Sequence, residues 1–190
     1  MKTIGVILAG GNSTRFGEDK SLYPLDGKPM YQHIADSIRS SHTADEIIVS
    51  TNVRLKTSFE YETVVDDGRF MDKGPLGGLF AAARAYPDCR LLVISCDTPY
   101  VPPAWLKELH DAAVQNSDAI ILTKAADHLH PLIGVYQGGD LGAALERQLK
   151  TGRLSMKAFF ENRKTIELEA AGSGVEEHTL ININRKTDLL

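Results

Sequence analysis

Apolar runs alternate with amphipathic stretches along the whole chain, at the spacing of one strand and one helix per repeat. Thr3 to Ala9 is nearly all apolar and reads as a buried strand. Pro29 to Arg39 carries Met30, Ile34 and Ile38 at four-residue spacing, which predicts a helix with Pro29 in its first turn. Strands are predicted at Glu46 to Thr51, at the segment ETVVDD that ends in Asp66 and Asp67, and at RLLVISCD, which ends in Asp97. Helices are predicted from about Pro75, and from Pro102 and Pro103 onward with Trp105, Leu109 and Ala112 on one face. DAIILT and PLIGVY read as strands, Leu141 to Lys150 and Ser155 to Asn162 as helices, and KTIELE and HTLININ as late strands.

Runs that are apolar throughout, rather than at every second position, belong to strands covered on both faces. The pattern therefore predicts an α/β fold: one doubly wound, mostly parallel sheet with helices on both sides, as a single domain over residues 1–190. Such a sheet takes its ligand at the carboxyl ends of the strands. That rule directs attention to Gly10, Asp66, Asp67 and Asp97.

Composition narrows the partner. Of the 190 residues 43% are hydrophobic and 24% charged, and the net charge is -4. No basic surplus marks a nucleic-acid binder. An anionic ligand would need local compensation from backbone dipoles, a few cations or a metal. No apolar run approaches the roughly 20 residues of a membrane helix, and the first residues lack the pattern of a signal peptide. Cys89 and Cys96 stand seven apart, which is neither a zinc spacing nor a disulfide framework. These features together lead us to expect a cytoplasmic protein with reduced thiols and no membrane partner.

The segment ILAGGNSTRFGEDK, Ile7 to Lys20, carries the strongest chemistry. Gly10, Gly11 and Gly17 let backbone amides approach a ligand, and successive amides form an anion-binding nest. Arg15 can grip phosphate with a planar fork and Lys20 can place a point charge on it. The set suits a nucleoside triphosphate. It is neither a Walker A loop nor a G-x-G-x-x-G turn, and a plain surface loop is the alternative.

Asp97 follows a buried strand and stands where a magnesium ion bridging phosphates needs a hard oxygen ligand; an Asx turn or helix cap would also use it. Asp66 and Asp67, before GPLGG, can hold a ribose or base, or can simply close a turn. In ININ, Ile181 to Asn184, a strand would send both amides to one side, where a buried pair must find partners. His128 and His130 share a face if extended but have no third ligand in sequence, so solvated loop histidines are the competing reading.

These motifs, taken in order, resemble a known family. LAGGNSTRFGEDKSLYPLDGKPMYQH, then GPLGG, CDTPYVPP, HPLIGVY and ININ, are similar to the successive blocks of the molybdenum cofactor guanylyltransferases, from Val6 to Asn184. The first block alone is shared with the wider nucleotidyltransferase superfamily. Its Leu-Ala-Gly-Gly form resembles guanylyl-transferring members, whereas CTP-using relatives more often carry Leu-Ala-Ala-Gly.

The resemblance implies a Rossmann-like fold of the nucleotide-diphospho-sugar transferase kind and Mg2+-dependent transfer of GMP from GTP to molybdenum-molybdopterin, with release of pyrophosphate. Carried over by position, it implies that Leu8, Ala9 and Gly10, with Gly11 beside them, contact GTP, that Lys20 holds its phosphates, and that Asp67 helps bind the nucleoside. Asp97 would bind both GTP and magnesium. Arg15, Lys20 and Asp97 would then be the catalytic set. Ser50 or Asn52 takes the place where some members have an asparagine, and the doublet leaves open which of Asp66 and Asp67 makes the contact.

The pterin would lie along His130, Pro131, Asn182, Asn184 and Arg153. Molybdenum-insertion proteins and acceptor-enzyme chaperones are the partners the family implies. A cytidylyltransferase, a sugar-phosphate nucleotidyltransferase and a nucleotide-binding module without catalysis are the competing readings.

Overall fold

The computed structural model describes residues 1–11, 16–171 and 173–188. Among the described residues nine strands form: β1 (Thr3–Leu8), β2 (Pro24–Leu25), β3 (Lys28–Pro29), β4 (Glu46–Thr51), β5 (Glu62–Val65), β6 (Arg90–Ser95), β7 (Ile120–Ala125), β8 (His128–Tyr136) and β9 (Thr165–Glu169). The helices are α1 (Met30–Ser41), α2 (Pro75–Ala85), α3 (Pro103–Gln115), α4 (Leu141–Lys150) and α5 (Met156–Phe160). Seven strands make the main sheet in the order β5-β4-β1-β6-β8-β7-β9, and β2 and β3 pair as a small hairpin. The pairs β5/β4, β4/β1, β1/β6 and β7/β9 are parallel, while β8 is antiparallel to both β6 and β7. The sheet is therefore the mostly parallel one expected, with β8 reversed.

Period-two alternation divides each central strand between two apolar layers. Ile4, Val6 and Leu8 face α2, α4 and α5 with Ile48, Leu76, Leu79 and Leu145. Ile7 faces α1 and α3 with Ile34, Ile38, Trp105 and Leu109. Each such side chain, fully buried, contributes about 1.5–3 kcal/mol of transfer free energy. Polar groups inside are paired: Trp105 donates its indole N–H to Thr123 Oγ1 at 2.9 Å, and Arg90 Nε donates to Gln137 Oε1 at 2.8 Å.

Three local readings change. Pro29 lies just outside α1 as its N-cap residue rather than in the first turn, and the helix runs on to Ser41. β8 begins at His128, three residues before the expected PLIGVY strand, because it pairs with β7 as a hairpin over a two-residue turn. HTLININ is not a strand. Glu177–Leu180 is a 3-10 turn, and Ile181 to Asn184 runs extended outside the sheet, with Asn182 and Asn184 exposed and Ile183 buried. The isoleucine is what packs there, so the expected buried amide pair does not exist.

Candidate nucleotide-binding site

The carboxyl ends of four adjacent strands meet at one level. Leu8 on β1 is in register with Ser50 on β4 and with Ser95 on β6, and Thr51 pairs with Val65 at the end of β5. The chain then turns over the sheet edge: Ala9 N–H donates to Ser50 O at 2.7 Å, and Cys96 N–H donates to Leu8 O at 3.0 Å. These two bonds fix the start of the glycine loop between its neighbours.

A cavity of about 380 Å³ opens at this edge. Leu8, Ala9, Gly10 and Gly11 form one wall, Lys20 and Asp97 another, and Gly74, Pro75 and Gly78 at the start of α2 a third. Gly74 has φ +64° and Pro75 opens the helix, a backbone turn that suits glycine and proline in that order. Gly77 and Gly78 N–H donate to Gly74 O within this turn, and the start of the helix lines the cavity, where a helix N-terminus favours anions. Gly78 is needed for closeness: a Cβ there would stand 2.8 Å from Ser50 Oγ.

Lys20 Nζ lies 3.5 Å from Asp97 Oδ2, with both side chains largely buried. The same ammonium donates to Ile183 O at 2.8 Å and to Asn184 Oδ1 at 3.4 Å. Asp97 Oδ1 is buried and has no hydrogen-bond partner among the described residues. A buried carboxylate oxygen left without a donor is costly. Its position at the wall of a cavity that Gly10, Gly11 and Lys20 also line fits a divalent cation as the missing partner. No group of three metal-ligating side chains exists among the described residues. Such an ion would take its other oxygens from phosphate and water, as Mg2+ commonly does.

Two more carboxylates line the opposite wall, Asp66 and Asp72. Burial raises the Asp66 pKa above the usual range; the Asp72 N–H bonded to it opposes that rise, and the Asp72 charge adds to it. Asp67 turns elsewhere. Its carboxylate accepts from Arg69 Nε at 2.9 Å and from Arg84, and it caps the turn at Gly68–Phe70 through Arg69 N–H. The Arg69 guanidinium, helped by its backbone N–H, holds the Asp67 carboxyl well below the usual range. The cavity therefore has Asp66 where Asp67 was expected. Similarly Ser50 lines it, whereas Asn52 accepts from Leu55 N–H to cap the turn at Val53–Leu55.

Of the other expected residues, Asn184 reaches the cavity wall, but His130 and Asn182 do not line it. Burial and the neighbouring His128 lower the His130 pKa. Arg153 is paired with Glu161 at 2.6 Å on the surface. Arg15 lies outside the described residues. Cys96 also lines the cavity, yet burial pushes its thiol up to about 12, so it offers no thiolate.

The loop that carries Lys20 is pinned from both sides. Asp19 forms a two-oxygen pair with Arg54 beyond β4, at 2.6 and 2.7 Å. Glu18 pairs with Lys186, whose ammonium lies 5.0 Å from the Tyr23 ring. Phe16, Leu25, Met30 and Ile183 make a small apolar cluster beneath.

The class of this protein is a nucleotidyltransferase, and its family model covers most of the chain that builds this edge. A sequence model of the MobA-like NTP transferase domain matches residues 5–166, and the chain belongs to that family. Solved structures agree on the fold. Molybdopterin-guanine dinucleotide biosynthesis protein A from Archaeoglobus fulgidus is similar at 21% identity and a TM-score of 0.82, covering 98% of this chain and 94% of that one. A Mycobacterium tuberculosis protein solved in complex with manganese is 22% identical, TM-score 0.65, covering 89% and 88%. A CMP:2-keto-3-deoxy-manno-octonic acid synthetase solved with CTP is 14% identical, TM-score 0.72, covering 98% and 95%. No helix among the described residues is long and apolar enough to cross a membrane.

Proposed function

We propose that the protein transfers GMP from GTP to molybdenum-molybdopterin, forming a guanine dinucleotide and pyrophosphate. The observation that carries this reading is Asp97 Oδ1, buried and without a donor, at the wall of a cavity that also holds Lys20, the Gly10–Gly11 amides and the start of α2. Support for guanine and the pterin comes from the Leu-Ala-Gly-Gly block and from the likeness to the Archaeoglobus protein.

In this reading the terminal phosphate oxygen of the pterin attacks the α-phosphorus of GTP. A P–O bond forms, and the bond to the β-phosphate oxygen breaks with pyrophosphate leaving. The nucleophile is already an anion near neutral pH, so no general base is required, and the buried Cys96 thiol is no candidate nucleophile. The barrier is charge: two polyanions must meet and a third leaves. Positioning and electrostatic stabilisation then dominate.

Lys20 and the amides of Gly10 and Gly11 hold phosphate oxygens, and Leu8 and Ala9 form the floor beneath them. The α2 N-terminus adds its dipole. Arg15 adds a second cation. Asp66 accepts from the N–H donors on the guanine edge, and Asp67 acts on that site from outside by holding Arg69 and Arg84. Asp97 would hold Mg2+, which when bound neutralises charge on phosphate oxygens. His130, Asn182 and Asn184 are the acceptor side, and molybdenum-insertion proteins and acceptor-enzyme chaperones the partners.

The test is product mass spectrometry after incubation with molybdopterin, Mg2+ and each of GTP, CTP, ATP and UTP. A guanine dinucleotide is expected. A cytosine dinucleotide would replace this reading with the cytidylyl one, which the likeness to the CTP-bound synthetase keeps in view. In a thermal-shift series, GTP with Mg2+ should stabilise more than the other three nucleotides.

A further inference from the structure

Asp97 and Lys20 come from opposite ends of different loops, and one residue of the C-terminal segment touches both. Ile183 N–H donates to Asp97 O at 2.7 Å. Ile183 C=O accepts from Lys20 Nζ at 2.8 Å. Its side chain is 1% exposed and packs with Phe16, Leu25 and Met30, so the backbone that makes both bonds is anchored by apolar contact.

We propose that Ile183 is a positioning residue, which sets the distance between Lys20 and Asp97 through its own N–H and C=O. The inference rests on the roles given to those two residues above. Its physical content is a division of charge. A lysine ammonium 3.5 Å from a carboxylate in a largely buried site is drawn onto it. Drawn fully onto the carboxylate, the ammonium would straddle both oxygens and place an N–H donor on Oδ1, the one left open for a cation.

The Ile183 carbonyl gives the ammonium a second, fixed acceptor. Asn184 Oδ1 gives it another at 3.4 Å. Lys20 is thereby held beside Asp97 Oδ2 while Oδ1 keeps no donor. Two further ties keep the segment in register: Asn184 N–H donates to Asp188 Oδ2 at 2.8 Å, and Lys186 pairs with Glu18 at 2.5 Å.

The experiment compares Ile183→Ala, Ile183→Val and a chain ending at Leu180, each with and without Lys20→Ala. Pyrophosphate release from GTP with molybdopterin as acceptor, the melting temperature and the rate at which an amine-directed acylating reagent labels Lys20 are measured. Ile183→Ala and the shortened chain should lose kcat on the order of tenfold to a hundredfold, with a smaller change in KM. Ile183→Val should restore most of it, and Lys20 labelling should change in rate. In the Lys20→Ala background the further loss should fall to about twofold or less, because the two changes act on one contact.

Losses that multiply independently, with Lys20 labelling unchanged, would overturn the proposal. If the shortened chain fails to fold, Ile183→Ala against Ile183→Val decides it. If the whole protein releases no pyrophosphate from any nucleotide, the functional reading falls, and the labelling comparison alone judges the positioning claim.

Discussion

Ser50 and Gly78 are locked together across the sheet edge. Ser50 Oγ donates to Gly78 O at 3.1 Å, and the space beside Gly78 Cα is filled by that same hydroxyl. α2 therefore sits as low on the sheet as a residue without a side chain permits, which brings its first turn to the cavity. Gly78→Ala should cost roughly 1–3 kcal/mol by overpacking, read as a lower urea midpoint. Ser50→Ala in the same chain should recover part of the loss, since it removes the nearest clashing atom. Additive losses in the double variant would show that the two sites do not share the contact.

Asp97 should separate stability from activity. Asp97→Ala is expected to lower turnover by about a hundredfold or more. Because one of its oxygens is buried without a partner, the variant should melt no lower than the parent. Calorimetry and steady-state pyrophosphate release check the pair of outcomes. A cooperative melt far below the parent would mean that Asp97 is a structural cap.

The two acids of the doublet should respond to pH in opposite senses. Asp66 is raised by burial above its ordinary 3.8, so the folded state binds its proton more tightly than the unfolded state. Its effect on stability is absent below about pH 4 and becomes a loss as pH rises through the raised value. Asp66→Asn should therefore gain stability relative to the parent over that rise.

Asp67 is lowered by Arg69 and Arg84, so its contribution is present above its unfolded value and disappears as pH falls. Asp67→Asn should flatten the acid side of the curve. Urea titrations between pH 3 and 7 would decide between these senses.

The cysteines should also part company. Cys96 is buried with its thiol raised to about 12, whereas Cys89 is half-buried. Under native conditions iodoacetamide should label Cys89 well before Cys96. Peptide mass spectrometry gives the order, and early labelling of Cys96 would mean that the cavity opens more widely than its walls allow.

Most of the sheet could be read from the chain because its strands announce themselves locally. β1, β4 and β6 each carry an apolar run and stop at Leu8, Thr51 and Ser95, with Gly10 and Asp97 two residues beyond their strands, so the crevice is legible as well. What escaped depended on distant partners. Asp67 pairs with Arg69 two residues on and with Arg84 seventeen residues on, and the second partner is not visible from the local sequence. Ser50 and Asn52 differ only in what each meets, Gly78 O for one and Leu55 N–H for the other. The ININ pattern alternates as a strand should, yet no neighbouring strand pairs with it; Ile183 carries the burial instead. The start of β8 is not legible because its opening, His128-Leu129-His130, holds one apolar residue between two histidines and is kept in the sheet by pairing with β7.

β8 shapes one half of the sheet's rim through its reversal. Running against its neighbours, it delivers the tight Ala126–Asp127 bend to the same rim as Gly10, Asp66 and Asp97, while those three belong to segments on the other half of the sheet. A bend at that address can be lengthened, shortened or recharged by insertion without disturbing a single parallel ladder. That half of the rim can thus change in length and charge while the segments that carry Gly10, Asp66 and Asp97 keep their ladder hydrogen bonds.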